Sequence, residues 1–432
     1  MEVTTLLVIF LGILFLLYGL GVPVAFAMIG TVIIMMLLPP VGLDFNLAMV
    51  SNDLYYGVNS FALIALPFYI YLGRIMNRSG LTQDIFDFAM SIVGQLRGGI
   101  IYVNIVASLI FSGMSGLALA DAAGLGRVEY AAMRARGIHS DVAVGVTGSS
   151  ALIGPIIPPS VPIIIYAVLA EVSIGRMFLG GIIPGFILAA VLTIFVFFVI
   201  RRRGYESDME FSIKNAVATF KGAFLGLVIP AIVIGGILLG YFTATEAGAV
   251  AVLYGVIVSA IYGNMSLFEA YEEAKYSMVE TFALTIIIVA ATIYGLAALR
   301  LGIPQALGEL ITAITVDPTY IMFVFIGIFL LIGTFMNVTP SLVILTPILI
   351  PIVHQVGVDP LHFGIVMILT LLFGLLTPPF GVILFVLEKV TDVSLKDVMI
   401  AIIPFYIPLF IALLIVALIP ETVTWIPYEL MQ

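Results

Sequence analysis

The sequence holds no cysteine, which excludes disulfides and thiolate metal sites and leaves the compartment open. Charge is almost as scarce: Asp, Glu, Lys and Arg make up 9% of the 432 residues, against about 25% in soluble domains. No basic run suggests a nucleic-acid partner. The glycine-rich phosphate loop of nucleotide-binding proteins is also missing, so any transport here is not powered by ATP bound to this chain. A basic start is lacking too. Glu2 is the only charge ahead of the apolar run 4–20, which therefore reads as a retained helix rather than a cleaved signal peptide. What is abundant is apolar surface, 62% of residues, and that makes the chain a polytopic membrane protein.

Apolar runs long enough to span a bilayer fall near 4–20, 22–38, 58–76, 177–200, 221–241, 245–263, 277–299 and 398–420. Four others are long but interrupted: 98–128, 139–170, 318–356 and 362–388. The last residues, 421–432, read as a short polar tail with no extramembrane domain in view. If 98–128 and 318–356 enter the membrane and return on the same side, fourteen of the sixteen basic residues share one face, with only Arg176 and Arg300 opposite. The positive-inside rule makes that face cytoplasmic and puts both termini in the periplasm. Crossing hairpins would destroy the segregation, so the expectation is re-entrant hairpins.

The halves also resemble each other. "SFAL" at 60–63 recurs as "TFAL" at 281–284, offset 221. Gly80-Leu81 recurs as Gly302-Ile303, offset 222, and Pro158-Pro159 as Pro378-Pro379, offset 220. With five crossings in the first half, the second enters from the opposite side. The predicted fold is all-α with two inverted-topology repeats, 1–205 and 206–432. Each repeat has one re-entrant hairpin (about 98–128 and 318–356) and one discontinuous helix (139–170 and 362–388).

Irregular backbone at membrane depth is tolerated where it is buried in protein or lines a cavity. Four places fit: the tips near "FSGMSGLALAD" (111–121) and "GTFMNVTPS" (333–341), and the breaks "SSALIGPIIPPS" (149–160) and "FGLLTPPFG" (373–381). Unwound carbonyls with Ser and Thr hydroxyls suit a small hard cation such as sodium, and half-helix N-termini welcome a carboxylate. Any one break could be a simple kink; four in symmetric pairs point to a binding centre, each tip meeting the break that follows it. Asp121, an intramembrane carboxylate, is a candidate for function and equally for a cap or salt bridge. Glu246 and Glu280, at estimated helix starts, read as structural. Arg300 reads as an interface anchor.

The runs "SGLALADAAGLG" (115–126), "GPIIPPSVPIIIYA" (154–167), "MNVTPSLVILTPILIP" (336–351) and "GLLTPPFG" (374–381) resemble the large membrane subunit of TRAP (tripartite ATP-independent periplasmic) transporters, DctM type, and the likeness covers essentially the whole chain. It implies an elevator-type sodium symporter of the inner membrane. Both hairpins and both broken helices would form a transport domain sliding against a scaffold of the remaining helices. The implied partners are a small four-helix membrane subunit and a periplasmic binding protein that delivers an organic acid and largely selects it.

The resemblance places a first sodium site at Ser115, Gly116, Ser149, Ser150 and Gly154, and a second at Gly333, Thr334, Met336, Gly374 and Thr377. Its substrate-facing candidates are Asp121, Asn337, Thr339, Pro158, Pro159, Pro378 and Pro379. Leu117 and Ala118 stand where relatives often carry serine, and Asn337 where many carry aspartate.

Three other functions compete. A stand-alone sodium–dicarboxylate symporter of similar fold would need no binding protein. A channel could be built from the same hairpins. A rhomboid-like serine protease would use "GMSG" (113–116) with His139, His354 or His362 as base, but these histidines fall at the membrane boundaries, beyond hydrogen-bond reach of a midplane Ser115. The chain is therefore expected not to be an enzyme.

Overall fold

A computed structural model describes residues 3–38, 61–116, 118–207, 210–262, 265–313 and 315–431. Ser60 and Leu117 lie outside the described residues, as does the side chain of Ser115. Every regular element among the described residues is helical. Seven of these helices are long and apolar enough to cross a membrane.

The four interrupted runs resolve into two hairpins, each followed by a broken helix. The first hairpin runs up Gly99–Ser115 and returns through Ala118–Ala123 and Leu125–Ala135. Its return arm is longer than the sequence pattern suggested. Residues 127–136 are polar enough to read as loop, yet Leu125, Glu129 and Met133 recur every fourth residue and form a buried stripe. The second hairpin joins Pro318–Phe335 to Val338–Gln355 through Met336 and Asn337 alone. Each of its arms has 18 residues, a length of about 27 Å.

The broken helices are Ser140–Ser150 with Val161–Leu169, and Pro360–Gly374 with Val382–Thr391. Local chemistry sets their ends. Asp359 caps the second, its Oδ1 accepting from Leu361 N at 2.7 Å, and Pro360 follows in the first turn, where its missing N–H costs nothing. Pro158–Pro159 and Pro378–Pro379 are both cis. The short helices Leu81–Val93 and Ile303–Thr312 each begin after a left-handed glycine, Gly80 at φ 79° and Gly302 at φ 70°, a conformation that favours glycine.

Packing gathers these parts. The rising arm of each hairpin lies along the first half of the broken helix of its own half, Gly99–Ser115 on Ser140–Ser150 and Pro318–Phe335 on Pro360–Gly374. In the second pair Phe325 and Phe329 meet Phe363 edge-on at 5.2 and 5.7 Å. The two broken helices also meet: Tyr166 donates to the Pro360 carbonyl at 2.7 Å, with its ring against Gly364.

Two expectations change. Helix Leu267–Arg300 is one piece of 34 residues opened by a Ser266/Glu269 capping box, so Glu280 lies mid-helix rather than at a start and pairs with Arg74 at 2.7 Å. Its first turns are rich in charge, which hid them from the apolar pattern. The tail is also ordered. Glu421–Leu430 is a helix that buries Val423 and Pro427, and Tyr428 donates to Asp359 at 2.7 Å.

Candidate cation and substrate site

Each hairpin tip touches the break that follows it. Gly116 ends the first rising arm in a left-handed turn (φ 60°), and a Cβ there would lie 2.6 Å from the Pro159 carbonyl oxygen. A Cβ on Gly154 would collide with Asp121 Oδ2, so the break admits the hairpin carboxylate only because residue 154 is glycine. Ser149, Ser150 and Asp121 are all buried. Ser149 Oγ has no hydrogen-bond partner, and the Gly154 carbonyl accepts no backbone hydrogen bond among the described residues. Pro158 and Pro159 are buried as well.

The second pair is built more tightly. The backbones of Gly333 and Gly374 are in contact: a Cβ on Gly333 would lie 3.1 Å from Gly374 Cα, and one on Gly374 would strike Gly333 itself. Gly381 N donates to the Thr334 carbonyl at 3.3 Å. Thr334 and Thr377 turn their hydroxyls back onto their own helices, donating to Leu331 O at 2.7 Å and Phe373 O at 2.9 Å. Both oxygens keep lone pairs free for a cation. Met336 is buried at the tip.

Asn337 caps the returning arm, its Oδ1 accepting from Val338 N at 2.7 Å. The amide thus performs the capping task an aspartate would, without the charge. Thr339 is half-buried in the same first turn. Pro378 and Pro379 are exposed, unlike the first proline pair. The two centres adjoin, since a Cβ on Gly148 would lie 3.2 Å from Leu376 Cδ2 in the second break.

Sequence reasoning missed Asn104, Glu129 and Thr147. They form a buried polar cluster behind the first break, with Asn104 Nδ2 donating to Glu129 Oε2 at 2.6 Å and to Thr147 Oγ1 at 3.1 Å. The signal was present: Glu129 follows Asp121 by eight residues, a second carboxylate in the return arm of the same hairpin. Two of the three histidines offered as a protease base are held elsewhere. His362 is buried against the Val416 carbonyl at 2.9 Å, and His139 sits at the start of Ser140–Ser150, its amide donating to Tyr205.

Paired tips and breaks with oxygen donors are shared by several transporter folds, so kinship decides between them. The model of the "Tripartite ATP-independent periplasmic transporter, DctM component" matches residues 11–422. The chain belongs to the DctM family.

As a DctM component it is a transport protein of several membrane passes and not an enzyme. The sialic acid TRAP transporter large permease SiaM of Vibrio cholerae is 38% identical over 419 residues, covering 96% of each chain. The C4-dicarboxylate TRAP transporter large permease DctM of Pseudomonas aeruginosa is 32% identical over 368 residues, 85% of this chain and 86% of that one. Among solved structures, MtrF of Neisseria gonorrhoeae superposes with a TM-score of 0.61 over 91% of this chain and 94% of its own. At 12% identity that likeness speaks for the fold alone.

Proposed function

We propose that this DctM component imports an organic acid carrying a carboxylate across the inner membrane, driven by sodium and working with a small membrane subunit and a periplasmic binding protein. The observation that carries this reading is the contact of each hairpin tip with the break of its own half, at Gly116–Pro159 and Gly333–Gly374. Each contact brings unwound carbonyls and hydroxyls together, with no His/Asp/Glu cluster that could hold a metal among the described residues, and such a donor set suits sodium rather than a transition metal. The first ion would be held by the tip carbonyls of Ser115 and Gly116 with Ser149, Ser150 and Gly154. The second would be held by Gly333, Thr334, Met336, Gly374 and Thr377. Asn337, Thr339, the two proline pairs and Asp121 would face the substrate. Names of relatives support an organic acid, since sialic acid and C4-dicarboxylates both carry carboxylates. Alternating access follows if hairpins and broken helices move as one body past the remaining helices.

The test is uptake into proteoliposomes containing both membrane subunits, with the cognate binding protein outside and labelled sialic acid or succinate as first probes. Accumulation is expected only with an inward sodium gradient. Full accumulation with choline in place of sodium overturns the coupling, and uptake without the binding protein overturns the tripartite reading.

A further inference from the structure

We propose that the basic end of helix Ile174–Arg203 holds a site for the phosphate of an anionic membrane phospholipid, bound by Arg97, Arg201 and Tyr102. The site shares no residue with the hairpin tips or breaks and does not depend on which ion or acid is carried. The helix is apolar through "IFVFFVI" (194–200) and ends in Arg201, Arg202 and Arg203, the pattern of a membrane boundary. Gly204 then turns the chain back in the left-handed conformation (φ 71°). Two bonds stitch it to the loop ahead of the first hairpin: Gly98 N donates to the Glu206 carbonyl at 3.0 Å, and Ser207 Oγ to the Gln95 carbonyl at 2.6 Å. Loop and helix end frame a cavity of about 870 Å³.

Arg97, in the loop, and Arg201, on the helix, both line this cavity, and neither makes an ion pair or a hydrogen bond among the described residues. Neighbouring Arg203, by contrast, is taken by Asp141. Tyr102, in the first turn of the hairpin's rising arm, lines the same cavity. It is 8% exposed, and its hydroxyl has no hydrogen-bond partner among the described residues. A largely buried donor without a partner is costly, and an acceptor on a ligand would complete it. Two guanidinium forks and a phenol are donors matched to the oxygens of a phosphate. Glu206 is the only acidic residue in the lining, so two arginines against one glutamate leave a net positive charge. That balance suits a headgroup whose own net charge is negative.

The rest of the wall identifies the source of the phosphate. Leu96 and Phe197 also line the cavity, and both are exposed. Phe197 continues into Ile194 and Phe198, exposed apolar side chains of the same helix. A free phosphate has no use for such a wall, whereas a phospholipid lays its acyl chains along it and keeps its headgroup at the boundary. The positive-inside count assigns both arginines to the cytoplasmic face, where basic pockets between helices take anionic headgroups. The occupant is therefore a lipid such as phosphatidylglycerol, rather than free phosphate or a zwitterionic lipid.

The test is native mass spectrometry of the full chain with its small subunit, delipidated in detergent and titrated with phosphatidylglycerol. Saturable binding is expected, weakened about ten-fold or more by Arg97→Gln and by Arg201→Gln, as loss of a charge-assisted hydrogen bond would. Tyr102→Phe is expected to weaken it less. Arg202→Gln removes an equal charge one residue outside the lining and is expected to change it by about two-fold at most, as a screened surface charge would. Lipid-free melting temperatures of the arginine variants are expected to stay at the wild-type value, since these side chains are exposed. Lower melting temperatures with unchanged lipid affinity would assign the arginines a structural role and overturn the site. Equal losses in all three arginine variants would mean diffuse surface charge and overturn it as well. Equal affinity for phosphatidylethanolamine overturns the selection of a negative headgroup, and glycerol phosphate that competes as well as the lipid overturns the lipid assignment. A wild type without saturable binding overturns the proposal outright.

Discussion

Gly374 and Gly12 are both helical glycines, and the structure assigns them opposite roles. Nothing lies within 4 Å of a Cβ on Gly12, whereas one on Gly374 would run into the Gly333 backbone. Helix propensity alone favours alanine over glycine by about 1 kcal/mol. Gly12→Ala is therefore expected to leave the melting temperature unchanged or raise it. Gly374→Ala is expected to cost about 1–3 kcal/mol through overpacking and to abolish accumulation by separating tip from break. Melting curves in detergent and uptake in proteoliposomes measure the two effects. If Gly374→Ala keeps full uptake, the tip–break contact is not part of the site. At this scale the sequence was informative where chemistry is local. Glycine and proline in an apolar run announce irregular backbone, and both breaks were legible. Which glycine is there for close approach was not, because that depends on a partner more than 40 residues away. Glu129 escaped notice for a similar reason, since its neighbours Asn104 and Thr147 come from two other helices.

Between elements, the clearest polar brace joins helix Ala65–Arg78 to helix Leu267–Arg300. Arg74 binds Glu273 at 2.8 Å and Glu280 at 2.7 Å, and Arg78 binds Glu269 at 2.8 Å. The three glutamates recur at intervals of four and seven residues, one face of a helix, so a single arginine can bridge two of them. Arg74 and Glu273 are largely shielded, at 29% and 12% side-chain exposure, which places their coupling toward the upper end of the range for surface pairs, roughly 1 kcal/mol. A double-mutant cycle of Arg74→Gln and Glu273→Gln is expected to show that coupling and to weaken at high salt. Additive losses would mean that the helices are held by their apolar contacts alone. Element lengths were legible wherever apolar runs marked them, and illegible where charge is satisfied by a partner. The first turns of Leu267–Arg300 read as loop for that reason, and the helix Glu421–Leu430 read as a tail because its anchors, Asp359 and Arg176, lie far off in sequence.

For the whole molecule, the absence of cysteine turns a composition fact into an experimental tool. The expected topology puts fourteen of the sixteen basic residues on one face, and so assigns Lys214 to the cytoplasm and Val316, which is 79% exposed between the helix Ile303–Thr312 and the second hairpin, to the periplasm. The second hairpin then opens outward and points its tip inward. That tip borders a cavity of about 840 Å³ lined by Tyr18, Pro23, Phe335, Met336 and Phe380. The same topology assigns the turn at 20–22 to the cytoplasmic side. Phe380 is 53% exposed while the first proline pair is buried, so on that topology the second break is expected to be reached from the cytoplasm. Single-cysteine variants separate these claims. In right-side-out vesicles a membrane-impermeant maleimide is expected to label Val316→Cys and to spare Lys214→Cys and Phe380→Cys. In inside-out vesicles the pattern is expected to reverse. Labelling of Lys214→Cys from outside would invert the orientation and with it the direction of each hairpin. Labelling of Phe380→Cys from outside, with the other two as expected, would keep the orientation and show that the second break opens to the periplasm.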